Sequence, residues 1–216
     1  MISKKFFYIY LIYIISLFVG LLYSENSSGG AKIDANYLYP FILKFSEGLT
    51  DGLLFFLSDK GSIIHSPIFY ILIGSLHSFI NSFFIIKIIY ILFCCLLPYI
   101  FYLILKERKY IKVKDEILFY FSLIIFYSPY FRDSSTWVLG DNLSLIFFSL
   151  SILYYLKGIN EKLTFYFFIS VFSLILCSYI RYYYCIFVIF FLFEYLKYLN
   201  IKYFLLLLFI STLFSS

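Results

Sequence analysis

The chain has 216 residues, of which 63% are hydrophobic, and a formal net charge of +5. Soluble globular domains contain about 45–50% apolar residues, so this composition excludes an ordinary soluble domain and indicates a membrane protein. The excess positive charge lies in short loops between apolar runs, where it suits anionic lipid head groups and not nucleic acid.

Seven apolar runs follow one another along the chain and predict transmembrane helices. Several approach the ~20 residues that cross a ~30 Å hydrocarbon layer, and only helices satisfy their own backbone hydrogen bonds in a single open segment there. We therefore expect an all-α fold, a polytopic transmembrane helix bundle in which residues 1–216 form a single membrane domain. The runs lie at about 6–23, 84–105, 117–131, 143–156, 163–180, 182–199 and 203–214.

The first run has two interpretations. Lys4 and Lys5 precede an apolar core, as they would in a signal peptide covering Met1–Gly20. Residues 22–24 (Leu-Tyr-Ser) make a poor cleavage site, which favours an uncleaved helix that anchors the chain.

The segment 24–83 is the first long loop, and its apolar stretch Pro67–Ile80 decides the topology. At ~1.5 Å per residue a helix of this length reaches only ~21 Å. If it lies along the membrane surface, 11 of the 17 basic residues fall on the N-terminal side; if it spans, only 5 of 17 do. Cytoplasmic loops carry the Lys/Arg excess. The charges therefore predict a cytoplasmic N-terminus and an external loop with short interfacial helices, one of them at 67–80.

The boundary between the fifth and sixth helices has no Gly or Pro. A single helix over the 37 residues 163–199 would be ~55 Å long, so the chain must turn within it. Arg181 lies near the middle among Tyr179 and residues 182–184, all tyrosine. Tyrosine favours the membrane–water interface, so this cluster predicts the turn. The four cysteines lie in or beside apolar runs and are expected to be packing residues.

The acidic residues on the predicted external side are the candidates for chemistry. Asp34 follows the flexible residues 27–30; as a structural residue it would be the N-cap of a helix that begins there. Asp141 would equally cap the fourth helix, and Asp133 would form an exposed pair with Arg132 that contributes little stability. The external side also contains Glu25, Glu47, Asp51 and Asp59.

Short motifs occur in a distinctive order between residues 6 and 195. Asp34 belongs to the first external loop. His65-Ser66-Pro67 leads an interfacial helix; as a structural motif it would simply mark the start of that helix, because proline is common in the first helical turn. Residues 127–132 (Tyr-Ser-Pro-Tyr-Phe-Arg), 141–143 (Asp-Asn-Leu) and 179–183 (Tyr-Ile-Arg-Tyr-Tyr) follow. In order and spacing these motifs resemble the GT-C glycosyltransferases, which use polyprenyl-phosphate sugars. That family includes protein O-mannosyltransferases, the lipid A aminoarabinose transferase and the terminal dolichol-pathway glucosyltransferase.

The resemblance implies an inverting sugar transfer on the external face of a bacterial inner membrane or an organelle membrane. The donor would be a sugar linked to a lipid phosphate, and the acceptor a hydroxyl of a glycan, lipid or protein. Asp34 would be the catalytic base. Arg181, and second to it Arg132, would bind the lipid phosphate. The other substrate-binding candidates are Asp141, Asp133 and His65, with Asp141 orienting the acceptor or holding either Arg181 or a divalent cation.

Two further classes of function remain open. A transporter or channel subunit would carry ionisable residues near mid-membrane, whereas Lys87 and Glu194 lie near the ends of their predicted helices. A non-catalytic or truncated polytopic membrane protein is the other alternative. Because the seventh run is unfinished at Ser216, we expect residues 1–216 to be the N-terminal part of a longer GT-C-like fold.

Overall fold

The computed structural model describes residues 4–58, 66–108 and 113–198, and within them the chain is helical, with no strand. This confirms the predicted all-α class. The helices are α1 (Lys4–Leu22), α2 (Ala31–Glu47), α3 (Leu49–Ser58), α4 (Ile68–Ile80), α5 (Phe83–Cys94), α6 (Leu96–Glu107), α7 (Asp115–Leu123), α8 (Pro129–Trp137), α9 (Gly140–Glu161), α10 (Thr164–Ile180) and α11 (Ile186–Tyr198), with 3₁₀ turns at Ile124–Tyr127 and Tyr182–Cys185.

Two helices of the described chain are long and apolar enough to cross a membrane, judged by length and composition. One is Phe83–Glu107, which joins α5 and α6, and the other is Gly140–Glu161. The remaining apolar helices have 10–17 residues, and at ~1.5 Å per residue 17 residues reach about 26 Å. The predicted seventh run lies outside the described residues.

The predicted third helix, 117–131, is not continuous. Helix α7 passes into the 3₁₀ turn Ile124–Tyr127, and a new helix, α8, begins at Pro129. Proline disfavours the helical conformation in the residue before it, and Ser128 is accordingly extended, with φ −69° and ψ 119°. The expected turn at 132–140 is therefore largely helical, which corrects the sequence interpretation.

The first loop contains three helices that pack together. Helix α2 lies against both α3 and α4. A Cβ added at Gly74 would lie 2.7 Å from Phe45 Cβ and 2.9 Å from the Ile42 carbonyl oxygen, so glycine is required for α2 and α4 to approach this closely. Helix α4 has 13 residues and covers most of the segment 67–80; its position at a membrane surface stays a prediction.

The predicted turn at Arg181 is confirmed. Helix α10 ends at Ile180, and Arg181 is extended, with φ −137° and ψ 102°. The tyrosine-rich 3₁₀ turn follows, and α11 then starts at Ile186. Of the cysteines, Cys94, Cys95 and Cys177 are buried and Cys185 is exposed.

Contacts between the ends of the helices fix the directions in which they run. Phe6 at the start of α1 packs on Phe119 of α7, whereas Ser16, three turns later, contacts Arg132 of α8. Helices α6 and α9 meet at their C-terminal ends, where Asn160 Nδ2 donates to the Glu107 carbonyl at 2.9 Å. The bundle thus has one end, here called the arginine end, formed by the C-terminal ends of α1 and α10, the N-terminal ends of α5 and α9, and α8.

Candidate functional site

Helix α8 positions the first pair of charged candidates. Ser128 is its N-cap, since its Oγ accepts a hydrogen bond from the backbone N–H of Phe131 at 3.4 Å, and Pro129 occupies the first helical turn. Arg132 and Asp133 therefore lie in the first turns of a capped helix. The side chains of both contact the loop that follows α1.

Arg132 is held by α1 and the loop after it. Its Nε and Nη2 donate to the two carboxylate oxygens of Glu25 at 2.6 and 2.7 Å, while Nη1 and Nη2 donate to Ser16 Oγ and to the Ser16 carbonyl at 3.1 Å. Four of its five N–H donors are thereby engaged. The Glu25 carboxylate lies over Gly20, where a Cβ would have no room. This is a fork-to-fork pair with little capacity for another anion.

Asp133 is buried and accepts hydrogen bonds from the same loop. Only 1% of its surface is exposed. Its Oδ1 accepts from Ser27 N and Oγ, and its Oδ2 from Ser28 N and Oγ. Burial alone would raise the pKa of Asp133, but the hydrogen bonds from Ser28 and Ser27 outweigh it and lower the pKa below its ordinary value. Asp133 is thus an ionised structural acceptor and not the exposed partner of Arg132 expected from the sequence.

Trp137 completes this contact between α8 and the loop. Its Nε1 donates to the Glu25 carbonyl at 2.6 Å. We call Glu25, Ser27, Ser28, Arg132, Asp133 and Trp137 the loop clamp. The clamp fixes the segment that leads from α1 into α2, and so it fixes where Asp34 lies.

The start of α9 is tied to α8 by Asn142. Its Nδ2 donates to the Phe131 carbonyl and to Ser135 Oγ, both at 2.8 Å, and its backbone N–H donates to Ser134 Oγ at 3.2 Å. The N-cap position is Leu139, and no side chain caps the helix. Asp141 therefore does not cap α9, contrary to the structural alternative, and its side chain is available for another contact.

Asp141 contacts Arg181 instead, across the gap between α9 and α10. Arg181 Nη2 lies 2.6 Å from Asp141 Oδ2, and the side chains are 15% and 43% exposed, respectively. The pair joins the first turn of α9 to the last residue before the tyrosine-rich turn. It brings together two of the residues that the sequence nominated, although they are 40 positions apart.

A small open depression lies beside this pair. Its lining residues are Leu38, Phe69, Tyr70, Gly140, Ile180 and Arg181. Burial raises the pKa of Tyr70 to about 12, with Arg181 acting in the opposite direction. The Tyr70 hydroxyl is therefore a neutral donor at physiological pH, at the edge of an otherwise apolar surface.

Asp34 is exposed and lies in the first turn of α2. Gly30 is the N-cap of that helix, so the alternative in which Asp34 is the cap is wrong. Residues four apart on a helix are neighbours, with Cβ atoms about 5–6 Å apart, so Asp34 stands one turn from Leu38 of the depression. As an acid in a first turn it also suits the helix dipole.

The six nominated residues thus divide into three groups. Arg181 lines the depression, Asp141 pairs with Arg181, and Asp34 lies one helical turn from the lining residue Leu38. Arg132 and Asp133 belong to the clamp, and His65 lies outside the described residues. The sequence reasoning gave Glu25 no specific role and did not consider Trp137, because nothing local links Glu25 to Arg132 and Trp137 of α8, over 100 positions away.

The described residues contain no group of three or more His, Cys, Asp or Glu side chains arranged to hold a metal ion. Asp141, the nominated ligand of a divalent cation, forms an ion pair with the positively charged Arg181.

Comparison with known proteins identifies no relative: no family model, no curated protein and no solved structure matches the chain.

Proposed function

We propose that this chain is a multi-pass membrane glycosyltransferase that moves a sugar from a polyprenyl-phosphate donor to an acceptor hydroxyl on the external face, with inversion. The observation that carries the proposal is the Asp141–Arg181 pair beside the depression at the arginine end. A guanidinium, a half-exposed carboxylate and an apolar surface stand together there. A lipid phosphate needs a cation for its head and an apolar surface for its chain.

The distribution of charge along the bundle supports the membrane arrangement. Asp34, Asp141 and Arg181 share the arginine end with the short helices α2–α4. The opposite end carries Lys106, which pairs with Asp115 at 3.0 Å, and the described basic residues Arg108, Lys114 and Lys162 of the predicted cytoplasmic side. With the N-terminus inside, helices α1, α7–α8 and α10 run outward, and α5–α6, α9 and α11 return.

The reaction requires one proton acceptor and one anion-binding group. The acceptor oxygen forms a bond to the anomeric carbon from the side opposite the leaving phosphate, and the bond between that carbon and the phosphate oxygen breaks. The acceptor's proton passes to the Asp34 carboxylate, which contributes about 10²–10⁴ in rate for a well-placed base. The electron pair leaves with the lipid phosphate, whose growing negative charge Arg181 stabilises. Asp141 orients Arg181 and can accept a hydrogen bond from the acceptor.

Arg132 and Asp133 have no part in this mechanism. To bind a phosphate, Arg132 would have to release the Glu25 fork, and Asp133 would have to give up the Ser27 and Ser28 hydrogen bonds. No step passes through a metal ion, because Asp141 already faces a cation.

The test of the transfer reaction is the replacement of Arg181. Arg181→Leu should reduce transfer from a radiolabelled polyprenyl-phosphate sugar at least about tenfold, and Arg181→Lys should restore part of it because a point charge lacks the paired geometry. Arg108→Leu is the matched control, since Arg108 is exposed at the C-cap of α6. Transfer in Arg181→Leu equal to that of the control would remove Arg181 from the site.

The membrane arrangement is tested separately by thiol labelling of intact cells. Asp51 and Glu161 are exposed and lie on the two predicted sides. In a Cys185→Ser background, Asp51→Cys should react with an impermeant reagent at once, and Glu161→Cys only after permeabilisation. Labelling of both cysteines from the same side would overturn the proposed topology. The effect of Arg181→Leu on sugar transfer would still test the role of Arg181.

A further inference from the structure

A second group of cations stands at the arginine end and shares no residue with the depression. Lys87 Nζ lies 4.4 Å from the centroid of the Trp137 ring, and Lys32 Nζ lies 5.9 Å from the same centroid. The two ammonium groups are therefore no more than about 10 Å apart, and because Lys87 is partly buried, salt screens their interaction less than it would between two exposed charges. They repel each other.

No carboxylate in the described part of the chain pairs with either lysine. The ion pairs found there are Lys44–Glu47, Lys106–Asp115, Arg132–Glu25 and Arg181–Asp141. Glu25 and Asp133, the acids of the loop clamp to which Trp137 belongs, are engaged by Arg132 and by Ser27 and Ser28. The repulsion between Lys32 and Lys87 is thus not relieved by an ion pair within the described chain.

The positions of these lysines also cost stability. Lys32 is in the first turn of α2, where the helix dipole disfavours a positive charge. Lys87 is partly buried, one turn inside the 25-residue apolar helix Phe83–Glu107. Charged side chains in such helices are costly. Cation–π contact with Trp137 offsets part of the electrostatic cost of each lysine's position, but it also holds the two ammonium groups near the same ring.

We infer that Lys32 and Lys87, beside Trp137, bind a phosphate group. A phosphate monoester carries nearly two negative charges at neutral pH and offers three acceptor oxygens, enough for two ammonium groups at once. Lysine binds phosphate as a point charge and does not require the planar fork of arginine. The phosphate comes either from the head group of an anionic lipid, reached by Lys87 at the end of an apolar helix, or from a free phosphate compound.

Trp137 makes this site directly observable, because it is the sole tryptophan of the chain. The purified full chain in neutral detergent is titrated with phosphatidic acid in mixed micelles, with inorganic phosphate, and with phosphatidylcholine as the zwitterionic control. Tryptophan emission is recorded after selective excitation. We expect a saturable change with phosphatidic acid. A response to phosphatidic acid and not to inorganic phosphate identifies a lipid head group; a response to both identifies phosphate itself as sufficient.

Variants separate binding from general effects of detergent or folding. Lys87→Gln and Lys32→Gln should each raise the apparent Kd at least about tenfold. Lys87→Arg, which keeps the charge, should retain the response even if Lys87→Gln fails to fold. Lys44→Gln is the matched control, since Lys44 is a lysine of α2 that is paired with Glu47.

Three results would overturn the inference: no saturable change with either phosphate source, an equal response to phosphatidylcholine, or unchanged titrations in Lys32→Gln and Lys87→Gln. None of these measurements uses sugar transfer. The phosphate site and the proposed transferase activity therefore stand or fall independently.

Discussion

Two arginine–carboxylate pairs lie at the same end of the bundle and differ in how closed they are. Arg132 holds Glu25 through two N–H groups at 2.6 and 2.7 Å, and each side chain is 20% exposed. Arg181, which is 15% exposed, contacts Asp141 at 2.6 Å, but the Asp141 carboxylate is 43% exposed and the guanidinium lines an open depression. A pair enclosed on both sides holds the chain together, whereas a pair with an accessible carboxylate can exchange one partner for a substrate.

The energies of the two pairs should differ accordingly. Removing one partner of an enclosed ion pair leaves an uncompensated charge and costs about 3–5 kcal/mol, whereas an exposed pair contributes about 0.2–1 kcal/mol. The clamp also includes Asp133 and Trp137, so its loss would release the loop that leads to α2. Stability should therefore depend on the clamp, and activity on the open pair and its neighbour Asp34.

The largest expected effect is that of Asp34→Asn on sugar transfer. Asparagine cannot accept a proton at neutral pH, so a catalytic Asp34 should lose about 10²–10⁴ in rate. Asp34 is exposed in the first turn of α2, so the loss of stability should not exceed about 1 kcal/mol, the size of a helix-dipole contribution. The measurement is transfer per amount of folded protein in membranes. Near-normal transfer would exclude Asp34 as the base and move the hypothesis to Asp141.

The next effect separates the two pairs by the same chemical change. Glu25→Gln removes the charge that faces Arg132 and should lower the free energy of unfolding by about 3 kcal/mol. Asp141→Asn should lower it less than Glu25→Gln does, because the Asp141 carboxylate is 43% exposed, while reducing transfer. Denaturant unfolding in detergent, followed by the emission of Trp137, measures both. Equal losses of stability in the two variants would mean that the pairs do not differ as their exposure indicates.

Local sequence patterns were sufficient for the all-α class and for one turn, but not for the bounds of every helix. Apolar runs indicated the helices, and tyrosines around Arg181 located the end of α10. The break before α8 was also readable in principle, because Ser128-Pro129 disfavours a continuous helix. The cap assignments failed because Gly30 and Leu139, which have no capping side chain, occupy the positions assigned to Asp34 and Asp141.

The two pairs were not equally predictable. Arg132 meets Glu25 across 107 positions, through a loop whose path depends on the three-dimensional contact itself. The sequence placed Arg132 and Asp133 side by side and so suggested that they pair with each other. In the helix they diverge to Glu25 and to Ser27–Ser28. Asp141 and Arg181 were predictable as neighbours, because Asp141 lies at the start of α9 and Arg181 follows the end of α10, on the same predicted side.

The smallest expected effect is a dependence of the clamp on pH, and it follows from Asp133. Its pKa in the folded protein is below the ordinary value of 3.8, because hydrogen bonds from Ser28 and Ser27 to the carboxylate outweigh its burial. A lowered folded pKa means that the ionised carboxylate contributes stability at pH values above about 4 and that this contribution is lost as the pH falls through the folded pKa. At neutral pH the clamp should therefore be fully formed.

Hydrogen exchange of the Ser27 and Ser28 amides, which donate to Asp133 at 3.0 and 2.6 Å, reports this directly. After correction for the intrinsic pH dependence of exchange, protection should be constant at neutral pH and fall below about pH 4. Asp133→Asn should show weaker protection with no such fall, because the amide does not titrate and its nitrogen cannot accept from the Ser28 N–H. Protection that falls equally in both proteins would assign the acid sensitivity to Glu25 or to another carboxylate. The stability of the loop clamp would then come from the Arg132–Glu25 pair and not from Asp133. The difference in stability between the clamp and the Arg181–Asp141 site would rest on that single ion pair.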